Sequence, residues 1–285
     1  MQRLLTAAVT VPLALAAVFY LPSVWFFIVA AVVFGWAAGE FVKIARFWAP
    51  GAPVEALVAL VPLAAVLLAG LVPLRGGASD AELELFGGAL LVSVGVGSLI
   101  LLAKTPLPEV FPALGAFAFG VPYFALPAAS LYRLHRLDPW WLFLLMAIVW
   151  LGDAAAYYVG SRLGRHKLAP TVSPNKSWEG SVAGFVTGLA ATALWSVWRL
   201  GEVDGRLLLV GAATAAAAQI GDLVESMLKR GAGLKDSGNL LPGHGGVLDR
   251  MDAMLFASPV FLFGLWITGV SNRLVAGDVP LSPGG

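Results

Sequence analysis

The sequence predicts an all-α, polytopic integral membrane protein with about nine transmembrane helices. Three observations predict it. Mean hydropathy is +0.85. Hydrophobic residues make up 59% of the chain against 12% charged, which points to a surface that mostly faces lipid. Apolar stretches of about 20 residues, the length that crosses the hydrocarbon as a helix, recur from one end of the chain to the other.

In chain order the candidate spans lie near 4–20, 22–42, 54–74, 85–103, 110–131, 139–161, 178–199, 206–228 and 251–271. The first follows Arg3 and ends in small residues, as a cleaved secretory signal does, but the immediate succession of further spans favours its retention as a helix. Pro12, Pro62 and Pro122 fall inside spans and imply kinks. Trp25, Trp36, Trp48, Trp140, Trp141, Trp178 and Trp198 sit near proposed ends, where interfacial aromatics belong. The chain reads as one membrane domain, 1–285. Its N-terminal spans run to about 135, a second half of about 139–272 carries the polar loops, and a Gly/Pro-rich tail at 277–285 is expected to be flexible.

Nine spans put the amino terminus and the even-numbered connections on one side. That side holds Arg3, Lys43, Arg46, Lys104, Arg162, Arg165, Lys167, Lys176, Lys229, Arg230, Lys235 and Arg250, twelve of the eighteen Lys and Arg; the other side holds six. The positive-inside rule makes the richer side cytoplasmic. A net charge of +1 gives no reason to expect a nucleic-acid partner. Without cysteine there are no disulfides or thiolate sites, so any metal is held by oxygen or imidazole.

Charge at membrane depth is costly, so each such residue is a candidate for function. Glu40 has Lys43 nearby, and a local interfacial pair accounts for both. Asp153 shares a helical face with Tyr157, where a structural hydrogen bond and a functional role are equally open. The denser stretch is "GDLVESMLKRGAGLKDSG". Asp222, Glu225, Ser226, Lys229 and Arg230 recur at spacings of three and four and form one polar stripe. After a polar loop, Asp249 and Asp252 open the last span on one face.

Carboxylates on two facing helix ends form an oxygen donor set for Mg²⁺, while Lys229, Arg230, Lys235 and Arg250 suit phosphate. The pair of features suggests phosphoryl or nucleotidyl transfer. Gly238, Gly243, Gly245 and Gly246 permit positive φ and close approach of backbone N–H groups to an anion. His244 is open as a ligand, an acid or base, or a phosphate donor. A second polar segment, "GRHKLAPTVSPNKSWEGS", places Lys176 just ahead of a helix start, which can receive phosphate. No Walker A pattern is present.

Ser226-x-x-Lys229-Arg230, Lys235-Asp236-x-Gly238, Pro242-x-His244-Gly245-Gly246 and Asp249-Arg250-x-Asp252 agree at thirteen spaced positions with the C-terminal signature of the phosphatidate cytidylyltransferases, also called CDP-diacylglycerol synthases, which this chain resembles. "SPNKSWEG" and "GDAAAY" are similar to upstream blocks of that family, so the resemblance covers roughly 150–255. It implies transfer of a cytidylyl group from CTP to phosphatidate with Mg²⁺ and a second cation, K⁺, by a homodimer in a bacterial inner (plasma) membrane with the site facing the cytoplasm. By motif position it implies Asp222, Asp249 and Asp252 as metal ligands, and Lys229, Arg230, Lys235, Asp236, His244 and Arg250 as catalytic residues. Asn175, Lys176, Ser177, Ser226, Gly245 and Gly246 would bind substrate. The rivals are a CTP-dependent polyprenol kinase and an ion-coupled transporter; the latter should show matching broken helices in both halves, and polar groups here crowd into the second.

Overall fold

In a computed structural model the described residues are 2–71, 80–102, 105–238 and 245–271. His244, Gly243 and the tail at 277–285 lie outside them. Nine α-helices are described: α1 (Gln2–Tyr20), α2 (Ser23–Trp48), α3 (Leu57–Leu71), α4 (Asp80–Leu102), α5 (Val110–Leu137), α6 (Pro139–Leu163), α7 (Trp178–Leu200), α8 (Gly205–Gly231) and α9 (Leu248–Thr268). Each coincides with one expected span. By length and composition six helical segments can cross a membrane: α2, 107–137, α6, α7, α8 and α9. Shorter apolar helices lie at Val9–Tyr20 and Val54–Ala69. The chain is an integral membrane protein, helical as expected.

Boundaries moved where polar side chains could be accommodated. α2 runs on to Trp48 and α5 to Leu137, where Arg46, and His135 with Arg136, stand in the last turn at the negative end of the helix dipole. A two-stranded antiparallel hairpin, β1 (Lys167–Ala169) and β2 (Ser173–Ser177), joins α6 to α7 where only loop was expected. Pro12, Pro62 and Pro122 stay inside helices, as do Pro127 and Pro259.

α6 packs most extensively on α7, and α8 on α9. The α6–α7 seam is made by small residues. A Cβ on Gly184 would stand 2.8 Å from the carbonyl oxygen of Gly152, and one on Gly180 2.6 Å from that of Ala156, so glycine alone lets these backbones touch. A corresponding approach at Gly221 brings α8 onto the backbone of Asp252 in α9. Elsewhere the core is aromatic and aliphatic, with Phe34, Phe117, Phe124, Trp141 and Phe261 fully buried.

Polar contacts collect at two opposite ends of the helices. At one end Asp138 caps α6 and pairs with Arg199 of α7 at 2.8 Å, Asp204 caps α8, and His135 of α5 meets Ser23 of α2 at 3.0 Å. The other end gathers the C-termini of α2, α6 and α8 with the N-termini of α7 and α9. That is the alternation expected of consecutive crossings.

Candidate active site

The site is built where α8 ends and α9 begins. Lys229, on the last turn of α8, places its ammonium 2.6 Å from Glu225 Oε2 and also bonds Asp249 Oδ1 on the first turn of α9. Glu225 is fully buried, its carboxylate held by that ammonium with no hydrogen bond of good geometry. The other oxygen of Asp249 accepts from the backbone N–H of Ser237 at 3.0 Å, the Ser237 hydroxyl at 3.0 Å and Gly246 N–H at 2.7 Å. One carboxylate thus closes the loop between the two helices back onto its own helix start.

The loop has a second anchor, from α2. The Glu40 carboxylate, buried among apolar residues, accepts from Ser237 Oγ at 2.8 Å, Val247 N–H at 3.1 Å and Leu248 N–H at 2.9 Å. It serves as the anionic cap that α9 lacks from its own N-cap residue, Val247. This differs from the expected local pair with Lys43: three donors, two of them free helix-start N–H groups, outweigh one solvated lysine at the interface. It also sharpens the reason for the glycines. A Cβ on Gly238 or Gly246 would overlap the Glu40 carboxylate, and one on Gly245, whose φ is +76°, would press on Asp249. These glycines admit protein carboxylates, and the Gly246 N–H is engaged by Asp249.

The second polar segment arrives through the hairpin. Lys176, on β2, pairs with Asp222 of α8 at 2.6 Å, and Asp153 of α6 lies within electrostatic reach of both. Ser177 is buried as the N-cap of α7, its hydroxyl accepting from Gly180 N–H at 3.2 Å, so its contact in this structure is a helix cap. Arg230 donates to the carbonyls of Val172 and Leu234 at 3.4 and 3.3 Å, linking the β1–β2 turn to the end of α8. Glu179, in the first turn of α7, accepts from His166 Nδ1 at 2.6 Å. Asn175, Lys235, Asp236 and Arg250 are exposed around this face, and Ser226 is half-buried on α8.

Asp222, Glu225, Asp249 and Asp252 therefore share one end of the α8–α9 pair; Asp252 interacts electrostatically with Asp222 and Glu225, and Tyr123 of α5 with all three. The Tyr123 hydroxyl is buried without a hydrogen-bond partner among the described residues. No three carboxylates or imidazoles among the described residues converge into a ready cage; lysine ammoniums lie between them. The donor set nonetheless fits a hard cation, being all oxygen, with the Glu225 oxygens left short of donors.

Residues 1–268 match the cytidylyltransferase family along nearly the whole chain. The chain belongs to that family. Among its relatives is the phosphatidate cytidylyltransferase of Pseudomonas aeruginosa, 37% identical over 277 residues that make up 94% of this chain and 97% of that one. The protein of the same name from Bacillus subtilis is 38% identical over 191 residues, 66% and 68% of the two chains, and that of Haemophilus influenzae 39% over 170, 56% and 58%. As a cytidylyltransferase, the chain is a nucleotidyl-transferring enzyme in a membrane-embedded helical frame.

Within that frame sequence reasoning missed two residues. Glu40 carried the right signal, a lone carboxylate in an apolar span, but Lys43 three residues on offered a sufficient local partner. Tyr123 carried none: nothing in "GVPYFALP" distinguishes its hydroxyl from the aromatic packing it also provides against Phe256, 5.9 Å away.

Proposed function

We propose that this chain joins CTP and phosphatidate to give CDP-diacylglycerol and pyrophosphate. The observation that supports this most is the 94% and 97% coverage shared with the Pseudomonas aeruginosa phosphatidate cytidylyltransferase, in a chain whose matching signature gathers Lys229, Asp222, Asp249 and Lys176 at one end of the bundle. The lipid phosphate is largely dianionic at neutral pH, its second pKa being about 6, so no strong general base is needed. One of its oxygens attacks the α-phosphorus of CTP, the bond to the bridging oxygen breaks, and pyrophosphate leaves in line.

The barrier is mainly repulsion between two polyanions, which positioned cations reduce. Lys229, Arg230, Lys235, Asp236, His244 and Arg250 are assigned to catalysis, the cationic ones at the phosphates, and Asn175, Lys176, Ser177, Ser226, Gly245 and Gly246 to substrate binding. Asp222, Asp249 and Asp252 would hold Mg²⁺, with a second cation, K⁺, beside it. Bound there, the metal supplies charge neutralisation on the phosphates. To receive phosphate, Lys229 and Lys176 must trade carboxylate partners for it, and a cation bound by the freed carboxylates would offset the charge they leave behind. All nine helices cross the bilayer, the site faces the cytoplasm of a bacterial inner membrane, and the chain works as a homodimer.

Purified protein with cytidine-labelled CTP, Mg²⁺ and phosphatidate is expected to form a cytidine-labelled lipid and an equal amount of pyrophosphate. Release of CDP with a phosphorylated lipid would replace this reading by a polyprenol kinase or a related γ-phosphoryl transfer.

A further inference from the structure

A groove of about 690 Å³ runs between α2 and α3 and ends at Glu40 and Lys43. Its floor on α2 is Phe27, Ala31, Gly35, Gly39 and Lys43, one residue per turn at a constant spacing of four, with three small residues between an aromatic ring at one end and a cation at the other. On α3 the wall is Val58, Pro62 and Val66 at the same spacing. The two helices are close: a Cβ on Gly35 would sit 3.5 Å from Pro62 Cγ, and one on Gly39 3.8 Å from Val58 Cγ2. Glycine at both positions thus leaves a trough that a long side chain would fill. Val32 and Trp36, on the rim, are exposed.

We propose that this groove holds one acyl chain of the phosphatidate substrate, with Lys43 facing the lipid phosphate; this rests on the reading of the chain as a phosphatidate cytidylyltransferase. Three features select that occupant. From Phe27 to Lys43 is sixteen residues, about 24 Å of helix, which takes an extended tail deep into a hydrocarbon core of about 30 Å. The only charged groups along it are at one end, as in a single-headed lipid. At that end Glu40 is committed to Ser237, Val247 and Leu248, so the groove's mouth is fixed to the signature loop, and Lys43 is the cation on the groove side. An anionic headgroup is favoured over a zwitterionic one by that lysine, and the groove delivers it to the end of the helices where Lys229 and Asp249 meet.

The experiment uses full-length protein in phosphatidylcholine nanodiscs with phosphatidate carrying a diazirine in one tail. Photolabel is expected on α2 and α3, and excess unlabelled phosphatidate, but not phosphatidylglycerol, should reduce it several-fold; label elsewhere, or competition by any anionic lipid, overturns the proposal. Kinetics supply the second arm. Gly35 lies eight residues, about 12 Å, below Lys43, so Gly35→Leu obstructs a long tail and spares a dihexanoyl one. The KM for dioleoyl phosphatidate should rise about tenfold while that for the dihexanoyl lipid and for CTP stays within about twofold. Ala31→Leu, on the same row, should act in the same direction, and equal effects on both lipids sink the idea. Competable labelling without any cytidylyl transfer would leave the groove standing and remove the proposed reaction instead.

Discussion

The carboxylate of Glu40 accepts a hydrogen bond from the hydroxyl of Ser237, a residue 197 positions further along the chain. The same carboxylate caps α9, so the second helix sets where Asp249 and Lys229 meet.

Glu40→Ala is expected to lower turnover at least about thirtyfold, since three hydrogen bonds to a charge, each worth about 1.5–3 kcal/mol, are lost from the loop carrying the signature. Glu40→Gln keeps one acceptor but turns an NH₂ toward N–H donors, and should recover only part of the rate. The measurement is kcat beside KM for CTP; an unchanged kcat in Glu40→Ala would show that the loop holds its place without α2.

Lys229→Met leaves Glu225 and Asp249 facing each other without the ammonium between them. Breaking a buried pair in this way costs about 3–5 kcal/mol. Thermal unfolding in detergent should therefore begin at markedly lower temperature, and Lys229→Met/Glu225→Gln should regain stability but not turnover. Recovery of turnover in the double variant would assign Lys229 a purely structural role.

Asp249→Asn should abolish cytidylyl transfer at every Mg²⁺ concentration. Because Asp249 also binds Ser237 and Gly246, the variant should lose some thermal stability as well, though it should still be recovered folded. In the unaltered protein, chelation of divalent cations should stop the reaction and added Mg²⁺ restore it. Turnover that persists in chelator would exclude a metal from the carboxylate cluster.

Gly184→Val tests the α6–α7 seam, where a Cβ would meet the Gly152 carbonyl at 2.8 Å. Overpacking of this kind costs about 1–3 kcal/mol. Folded yield should fall, whereas Gly115→Val, at a glycine with nothing within 4 Å, should leave it unchanged. Equal yields would mean that the helices slide to make room.

The helices were legible because lipid allows few alternatives: an apolar stretch long enough to cross must satisfy its own backbone, so composition and length located the helices, six of which are long and apolar enough to cross. The polar ends were legible only within one stretch of chain. Lys229, Asp249 and Glu225 share a helix or a short loop, and spacings of three and four revealed their stripe. Glu40 with Ser237, and Lys176 with Asp222, are pairings of distant segments whose geometry depends on how helices cross, which periodicity does not encode. The β1–β2 hairpin escaped for another reason: its strands are only three and five residues long, too short for an alternating pattern to stand out.

The Glu40 anchor also has a consequence for how the protein is made. α2 leaves the ribosome early, with a carboxylate that belongs beside residues not yet synthesised. Until residues 237–248 have followed, that carboxylate has none of its Ser237, Val247 or Leu248 donors, and no shortened chain ending before them can assemble this face. Arrival of the first turn of α9 and completion of this face are one event, so a nascent chain that stalls before it lacks the face that holds Lys229 against Asp249.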